Sequence, residues 1–182
     1  EVALDIQNRL DKDDLKDLPL YITGHSLGGA LATVAAKKMT HPLGGIAACY
    51  TFGSPRVGDE YWVANIKAPI YRLVNAADCV TMMPPGDEII TVIGWLAQWL
   101  PIIGKPARAF LLNKVSGYLH AGNMRYMTNC ATADYSKVEL LYSVSLFYRI
   151  KGLVTKKLSW LKLLKDHSIK TYRKKLLVIA SS

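Results

Sequence analysis

The spacing of apolar residues changes sharply near the start of the chain. A β-prone apolar run over residues 18–22 predicts a strand, and apolar residues at helical spacing over residues 27–35 predict a helix. Between them lies a Gly-x-Ser-x-Gly motif centred on Ser26. In this setting the motif places its serine on a sharp, strained turn with Oγ exposed. We expect Gly24 and Gly28, which lack a Cβ, to let the strand and the helix approach closely.

The rest of the chain alternates between strand-like and helix-like patterns. A nearly continuous apolar run over residues 46–52 is typical of a strand buried in a parallel sheet. Further strands are predicted at 70–74 and within 118–128, and helices at 2–12, 59–66, 135–164 and 169–178. This order predicts an α/β fold, with a mostly parallel sheet, right-handed crossovers, flanking helices and a helix-rich C-terminal part.

One stretch, residues 87–116, departs from this alternation. We expect it to be a hydrophobic insertion within a single domain that spans residues 1–182. Its most apolar part, residues 89–103, carries Trp95 and Trp99 but is shorter than the roughly 20 residues that a bilayer-spanning helix needs. Two interpretations stay open, a buried accessory helix and a helix at a lipid interface. Replacing both tryptophans with serine should weaken vesicle binding only in the second case.

Composition and charge limit the class of protein. A chain of 182 residues that is 51% hydrophobic suits a globular domain and argues against intrinsic disorder. The net charge of +9 is concentrated between residues 137 and 175. Such a region either attracts anionic membrane surfaces or acidic substrates, or is an ordinary solvated helix face. Its lysines interleave with leucine and tryptophan, which disfavours nucleic acid as a partner.

The cysteines point weakly to a reducing compartment. Cys49, Cys79 and Cys130 have neither metal-ligand spacing nor the even number of a disulfide framework, and Cys49 is expected in the core. The chain begins with Glu1 rather than Met, and no signal peptide is visible. The start of the sequence resembles the middle of a domain, so the compartment stays open, with a cytoplasmic or peripheral membrane location favoured.

A serine on a strained turn is a nucleophile only if a base and an orienting carboxylate accompany it. Where this motif follows a sheet strand, the order along the chain is serine, acid, histidine. Asp78 follows the 70–74 strand on the side where ligand sites of parallel sheets collect, so it is the candidate acid. The alternative for Asp78 is a loop-capping role. Asp59 is expected to cap the helix that follows it.

Four histidines are available as the base. His25 lies within the turn beside Ser26, where its ring cannot easily reach Oγ, and His41 is expected at the surface. His120 and His167 both follow Asp78 in polar or glycine-flanked breaks between elements, and spacing alone leaves both open.

Several short segments, taken together and in order, resemble the class 3 lipases, the α/β-hydrolases typified by fungal triacylglycerol lipases. They are residues 24–30, 51–59, 72–80 with Pro84 and Pro85, 118–122, and 166–168 with Tyr172. The resemblance implies that Ser26 is the nucleophile, Asp78 the acid and His167 the base. It implies a structural position for His120, and one oxyanion-hole donor at the backbone N–H of Leu27.

The same resemblance implies hydrolysis of lipid esters such as acylglycerols or phospholipids through an acyl-enzyme, with no cofactor or metal. The implied partner is a lipid ester, met at a membrane or lipid interface; the oligomeric state is left open. The family's second oxyanion donor, first strands and lid lie upstream of the serine and are absent from this sequence, which predicts an incomplete α/β-hydrolase domain. One alternative is a catalytically incomplete protein that binds lipid or a partner. The other is an enzyme that transfers the acyl group to an alcohol instead of water. A fluorophosphonate probe separates the binding protein from an enzyme.

Overall fold

The computed structural model describes residues 2–12, 14–41, 44–84, 117–130, 134–145, 147–149 and 165–182. The helices are α1 (Val2–Leu10), α2 (Leu27–Lys38), α3 (Glu60–Ala64) and α4 (Ile169–Ser181). The strands are β1 (Tyr21–His25), β2 (Ala48–Phe52), β3 (Ile70–Asn75), β4 (Asn123–Met127) and β5 (Leu140–Leu141). A short 3-10 helix covers Val80–Met82.

The strands of the described residues form one sheet in the order β1-β2-β3-β4-β5. β1 to β4 pair in parallel, and β5 is antiparallel to β4. This arrangement confirms the predicted α/β fold with a mostly parallel sheet. Because the strands β1, β2 and β3 run in the same direction, the turns that follow them meet at one edge of the sheet.

Helices cover the sheet on both faces. On one face, Ala32 of α2 packs in a buried cluster with Cys49 and Ile70. Side chains alternate along a strand, so Leu73 points to the opposite face, where it clusters with Tyr172 of α4. The short helix α3 begins as predicted, because the Asp59 carboxylate accepts the Trp62 N–H at 2.7 Å and caps it. The core therefore holds α2 and α4 against the strands whose ends carry the candidate site.

The helix predicted over residues 135–164 is wrong for residues 135–145, none of which is helical, whereas residues 147–149 are helical as predicted. Residues Leu140–Leu141 form β5, in which Leu140 pairs with Met127 and Leu141 with Tyr126. Val138 and Leu140 pack against the apolar cluster beneath α4. Strand pairing at the sheet edge, with burial of these side chains, therefore outweighs the helical spacing.

The hydrophobic insertion predicted at residues 87–116 lies outside the described residues, together with Trp95 and Trp99. Its buried or interfacial position stays a prediction. Among the helices that are described, none combines the length and the apolar character needed to cross a membrane.

Candidate active site

Ser26 occupies a strained turn between β1 and α2. Its backbone has φ 58° and ψ −129°, a combination that is rare for any residue other than glycine. The Ser26 N–H donates to the Phe52 carbonyl at 2.9 Å, which ties the turn to the end of β2. The predicted strand, strained serine and helix are thus confirmed.

The close approach of strand and helix rests on Gly24 and Gly29. A Cβ at Gly24 would overlap the backbone of Gly28, and a Cβ at Gly29 would lie 2.8 Å from Ser54 Cβ. A Cβ at Gly28 would meet no atom within 4 Å. The predicted close approach at Gly24 and Gly28 is therefore confirmed, but it depends on the missing Cβ of Gly24 and not on that of Gly28, whose Cβ position points into open space.

The structure brings Ser26, His167 and Asp78 into one hydrogen-bonded chain. His167 Nε2 lies 2.9 Å from Ser26 Oγ, and His167 Nδ1 lies 2.9 Å from Asp78 Oδ1 and 3.0 Å from Oδ2. Because the carboxylate only accepts hydrogen bonds, Nδ1 carries the proton and Nε2 accepts the Ser26 hydroxyl. The side chain of His167 is 18% exposed and that of Asp78 is fully buried.

The Asp78 carboxylate is satisfied on every side. Besides His167, it accepts the Val80 N–H at 3.0 Å through Oδ1 and the Tyr172 hydroxyl at 2.6 Å through Oδ2. Burial and the negative charge of Asp78 raise the pKa of Tyr172 well above its usual value, so this hydroxyl keeps its proton and donates. A buried charge paired in this way avoids the large cost of an unsatisfied carboxylate.

His25 contacts His167 from the side. Its Nε2 donates to the His167 carbonyl at 2.7 Å, and the two rings lie 4.7 Å apart between centroids. No hydrogen bond joins His25 to Ser26 Oγ among those recorded for the described residues, as expected. Sequence reasoning missed this contact with His167, although the position of His25 beside the nucleophile was a signal that could have suggested it.

His120 and His41 lie away from the serine. His120 Nε2 donates to the Thr81 carbonyl at 2.8 Å. Burial, then the nearby charges of Arg72 and Arg56, lower the pKa of His120 to about 2, so its ring is neutral. His41 follows the far end of α2 and is buried, which corrects its expected surface position. Of the two histidines that spacing left open, His167 is the one beside Ser26.

Leu27 is the first residue of α2, and its side chain is 69% exposed. The N–H groups in the first turn of a helix have no acceptor within the helix and carry partial positive charge. The backbone N–H next to the nucleophile is thus suited to an anion, and its oxyanion role stays a prediction. In the part of the chain that the structure describes, no three His, Cys, Asp or Glu side chains are grouped as a metal site requires.

A buried polar layer beneath these residues was missed by sequence reasoning. It consists of Asn75 at the end of β3, Asp166 just before the base, and Lys175 on α4. The sequence offered one weak signal, since Lys175 falls three residues after Tyr172 and so shares its side of the helix.

Comparison with known proteins supports the resemblance drawn from the short sequence segments. The family described as lipase (class 3) matches residues 3–88, just under half of the chain, and these include Ser26 and Asp78. Over these residues the chain is similar to the class 3 lipases.

Curated relatives of this chain match over stretches of similar or shorter length. A secreted mono- and diacylglycerol lipase of Fusarium solani is 43% identical over 70 residues, covering 35% of this chain and 20% of the relative. A lipase of Rhizomucor miehei is 37% identical over 94 residues, covering 44% of this chain and 26% of the relative. The matches therefore span about a quarter of the length of these relatives or less.

Solved structures extend the likeness to most of the described fold. The Rhizomucor miehei lipase propeptide complex superposes with a TM-score of 0.51 at 25% identity, covering 79% of this chain and 37% of that one. The Rhizomucor miehei triacylglyceride lipase gives a TM-score of 0.54 at 24% identity, covering 91% of this chain and 51% of that one. Both show that this chain has the α/β-hydrolase fold.

Proposed function

We propose that this chain carries the catalytic centre of a serine hydrolase that cleaves carboxylic ester bonds of lipids through an acyl-enzyme. One observation carries the proposal: the continuous hydrogen-bonded chain from Ser26 Oγ through His167 to the buried Asp78 carboxylate. Nucleophile, base and orienting acid are the three groups that this chemistry requires.

In the acylation step, Ser26 Oγ attacks the ester carbonyl while His167 Nε2 accepts its proton. Asp78 holds the His167 ring in the tautomer that presents an unprotonated Nε2, and it stabilises the imidazolium that forms. Negative charge develops on the former carbonyl oxygen, where the Leu27 N–H is suited to donate a hydrogen bond. The imidazolium then protonates the leaving alkoxide, and an alcohol departs.

In the deacylation step, His167 takes a proton from water as the water attacks the acyl carbon. The bond between that carbon and Ser26 Oγ then breaks, the carboxylic acid leaves, and Ser26 recovers the proton from His167. The charge and hydrogen bonds at Asp78 are the same in both steps, so one residue set performs both. If an alcohol replaced the water, the product would be a new ester through the same residues.

The substrate class is proposed from relatives that match the region around the serine. Two are named as lipases above, and a chloroplastic phospholipase A(1) of Arabidopsis thaliana is 38% identical over 72 residues, covering 37% of this chain. Acylglycerols and phospholipids are therefore both proposed as substrates, and both offer the same carboxylic ester to Ser26.

We also propose that the chain meets its substrate at a lipid surface. Helix α4 begins two residues after His167 and exposes Lys170, Arg173 and Lys174 beside the partly exposed Ile169 and Leu177. Exposed cations beside apolar side chains are typical of contacts with anionic lipid. Flotation with vesicles tests this: binding that does not increase when phosphatidylglycerol is added to phosphatidylcholine would contradict it.

A fluorophosphonate probe tests the central proposal, because it reacts only with a serine activated by its base. The expected result is labelling of the chain, no labelling of Ser26→Ala, and full labelling of Ser136→Ala, which changes an exposed serine far along the chain. Ser26→Ala should also abolish hydrolysis of short p-nitrophenyl esters. An unlabelled native chain would favour a lipid-binding protein that lacks catalysis, and labelling retained in Ser26→Ala would refute the assignment of the nucleophile.

A further inference from the structure

Below the triad, one asparagine joins the strand of the acid to the loop of the base. Asn75 is fully buried at the end of β3, three residues before Asp78. Its Nδ2 donates to the Asp166 carbonyl at 2.7 Å. Since Asp166 directly precedes His167, this bond fixes the peptide from which the base projects.

Lys175 sets the direction in which the Asn75 amide points. Its Nζ lies 2.6 Å from Asn75 Oδ1 and 2.6 Å from the Thr128 carbonyl, and the side chain is buried. An ammonium group only donates hydrogen bonds, so it requires the oxygen of the asparagine amide on its side. The nitrogen of that amide then necessarily faces the Asp166 carbonyl.

The same segment is held by two further contacts. The Asn75 N–H donates to the Tyr172 hydroxyl oxygen at 3.0 Å, and Asp166 Oδ2 accepts the Ala77 N–H at 3.3 Å. These bonds join the chain on either side of the acid and of the base, but none of them fixes the orientation of the Asn75 amide.

We propose that Asn75 and Lys175 are positioning residues for His167: the Lys175 ammonium orients the Asn75 amide, and that amide holds the Asp166–His167 peptide where Nε2 faces Ser26. The inference rests on the proposed function only for the role of His167 as base. Neither residue touches the substrate, so their effect should appear in the chemical step rather than in substrate binding.

The sharpest variant is Asn75→Asp. One carboxylate oxygen can still pair with Lys175, which keeps the buried ammonium satisfied, while the other faces the Asp166 carbonyl and repels it. Lys175→Met tests the other member by removing the donor while keeping an unbranched chain. Lys38→Met is the control, because Lys38 is an exposed lysine at the end of α2 and lies outside the lipid-binding surface proposed on α4.

Two readouts separate positioning from a merely structural role. The first is kinetic: Asn75→Asp and Lys175→Met should lower kcat, or the rate of fluorophosphonate labelling, by about 10- to 100-fold. A loss of this size is expected for a small misplacement of a catalytic group, and KM should stay unchanged. The second is the low-field proton NMR signal of the His167 Nδ1–H, assigned by its loss in His167→Gln. It should shift or broaden in both variants and stay unchanged in Lys38→Met.

The NMR signal needs no turnover, so it tests the inference even if the chain proves inactive. A changed signal with an inactive native chain would support positioning and refute the hydrolase. Folded variants with unchanged kcat and unchanged signal would overturn the positioning role, as would a loss of stability that leaves both readouts unaltered. If Asn75→Asp fails to fold, Lys175→Met decides by the same criteria.

Discussion

The Tyr172 hydroxyl donates to Asp78 Oδ2 at 2.6 Å, the shortest of the hydrogen bonds recorded to that carboxylate. Tyr172 is fully buried, and its oxygen also accepts the Asn75 N–H at 3.0 Å. Helix α4 therefore reaches back beneath the acid of the triad and not only to the base at its own N-terminus. The position of the acid depends on a helix nearly a hundred residues further along the chain.

Replacing Tyr172 with phenylalanine should impair both stability and catalysis. The change leaves the Asp78 oxygen and the Asn75 N–H without their partner in a buried site, which should cost about 1–3 kcal/mol of unfolding free energy per unsatisfied group. A less restrained carboxylate orients His167 poorly, so kcat should fall while KM stays similar. Urea unfolding and steady-state ester hydrolysis measure the two effects. A variant with native stability and native kcat would show that the hydroxyl is dispensable.

Gly53 leaves the room that the Asp78–His167 pair occupies. Its φ is +60°, and a Cβ there would lie 2.6 Å from Asp78 Oδ2 and 3.1 Å from His167 Nδ1. Gly53→Ala should therefore separate acid from base and abolish fluorophosphonate labelling. Gly44→Ala is the matched control: φ there is +90°, but an added Cβ meets no atom within 4 Å.

The control variant should lose only about 1–2 kcal/mol through backbone strain and remain labelled. Equal labelling of Gly53→Ala and the native chain would mean that the acid and the base have more room to move than their contacts with Gly53 indicate.

The sequence predicted the fold and the nucleophile because both depend on local patterns. Residues 46–52 and 70–74 read as strands since continuous apolar runs signal burial on both faces, and the serine turn followed from its glycines and the adjoining helix. The choice between His120 and His167 could not come from such patterns. It depends on which histidine lies beside Ser26 at the end of β1, and only tertiary packing determines that.

Asn75, His25 and Lys175 escaped prediction for the same reason. An asparagine at the end of a strand or a lysine in a helix is normally solvated, and the spacing of Lys175 from Tyr172 is only a weak signal that the lysine is buried. β5 was missed because residues 140–141 lie in a stretch whose own spacing favours a helix. All of these contacts join residues that are far apart in the chain, and local sequence patterns do not indicate which distant residues come together.

His120 should make the fold sensitive to acid. In the folded state its pKa is lowered to about 2 from 6.5, mainly by burial and then by Arg72 and Arg56. Below pH 6.5 the unfolded chain therefore binds a proton that the folded chain does not, and stability falls as the pH falls from 6.5 toward 2. The contribution of this group approaches about 1.4 kcal/mol per pH unit within that window.

Urea unfolding at several pH values checks this dependence. His120→Gln keeps a polar side chain but cannot take up a proton, so its stability should fall less steeply between pH 6.5 and 4.5. An identical slope in the variant and the native chain would assign the acid sensitivity to other groups.

Arg72 is a buried cation whose guanidinium is only partly hydrogen-bonded within the part of the chain that the structure describes. Its Nε and Nη1 have no partner among those residues, and burial, Arg149 and Arg56 lower its pKa to about 10. Met124 lies directly opposite Arg72 in the parallel pair of β3 and β4. Paired strands lie about 4.8 Å apart and opposite residues share a face, so a side chain at 124 can reach the guanidinium.

Met124→Glu should therefore stabilise the fold above the pH at which the glutamate ionises. A gain of about 1–2 kcal/mol would raise Tm by roughly 2–6 °C in a chain of this size. Because Arg72 lowers the pKa of the new carboxyl below its unfolded value, the gain should be lost as the pH falls below about 4. Met124→Gln is the neutral control, and Arg72→Met combined with Met124→Glu completes the double-mutant cycle. If Met124→Glu and Met124→Gln change Tm equally, charge pairing contributes nothing. If the gain from Met124→Glu vanishes in the Arg72→Met background, the incompletely paired guanidinium limits the stability of this sheet.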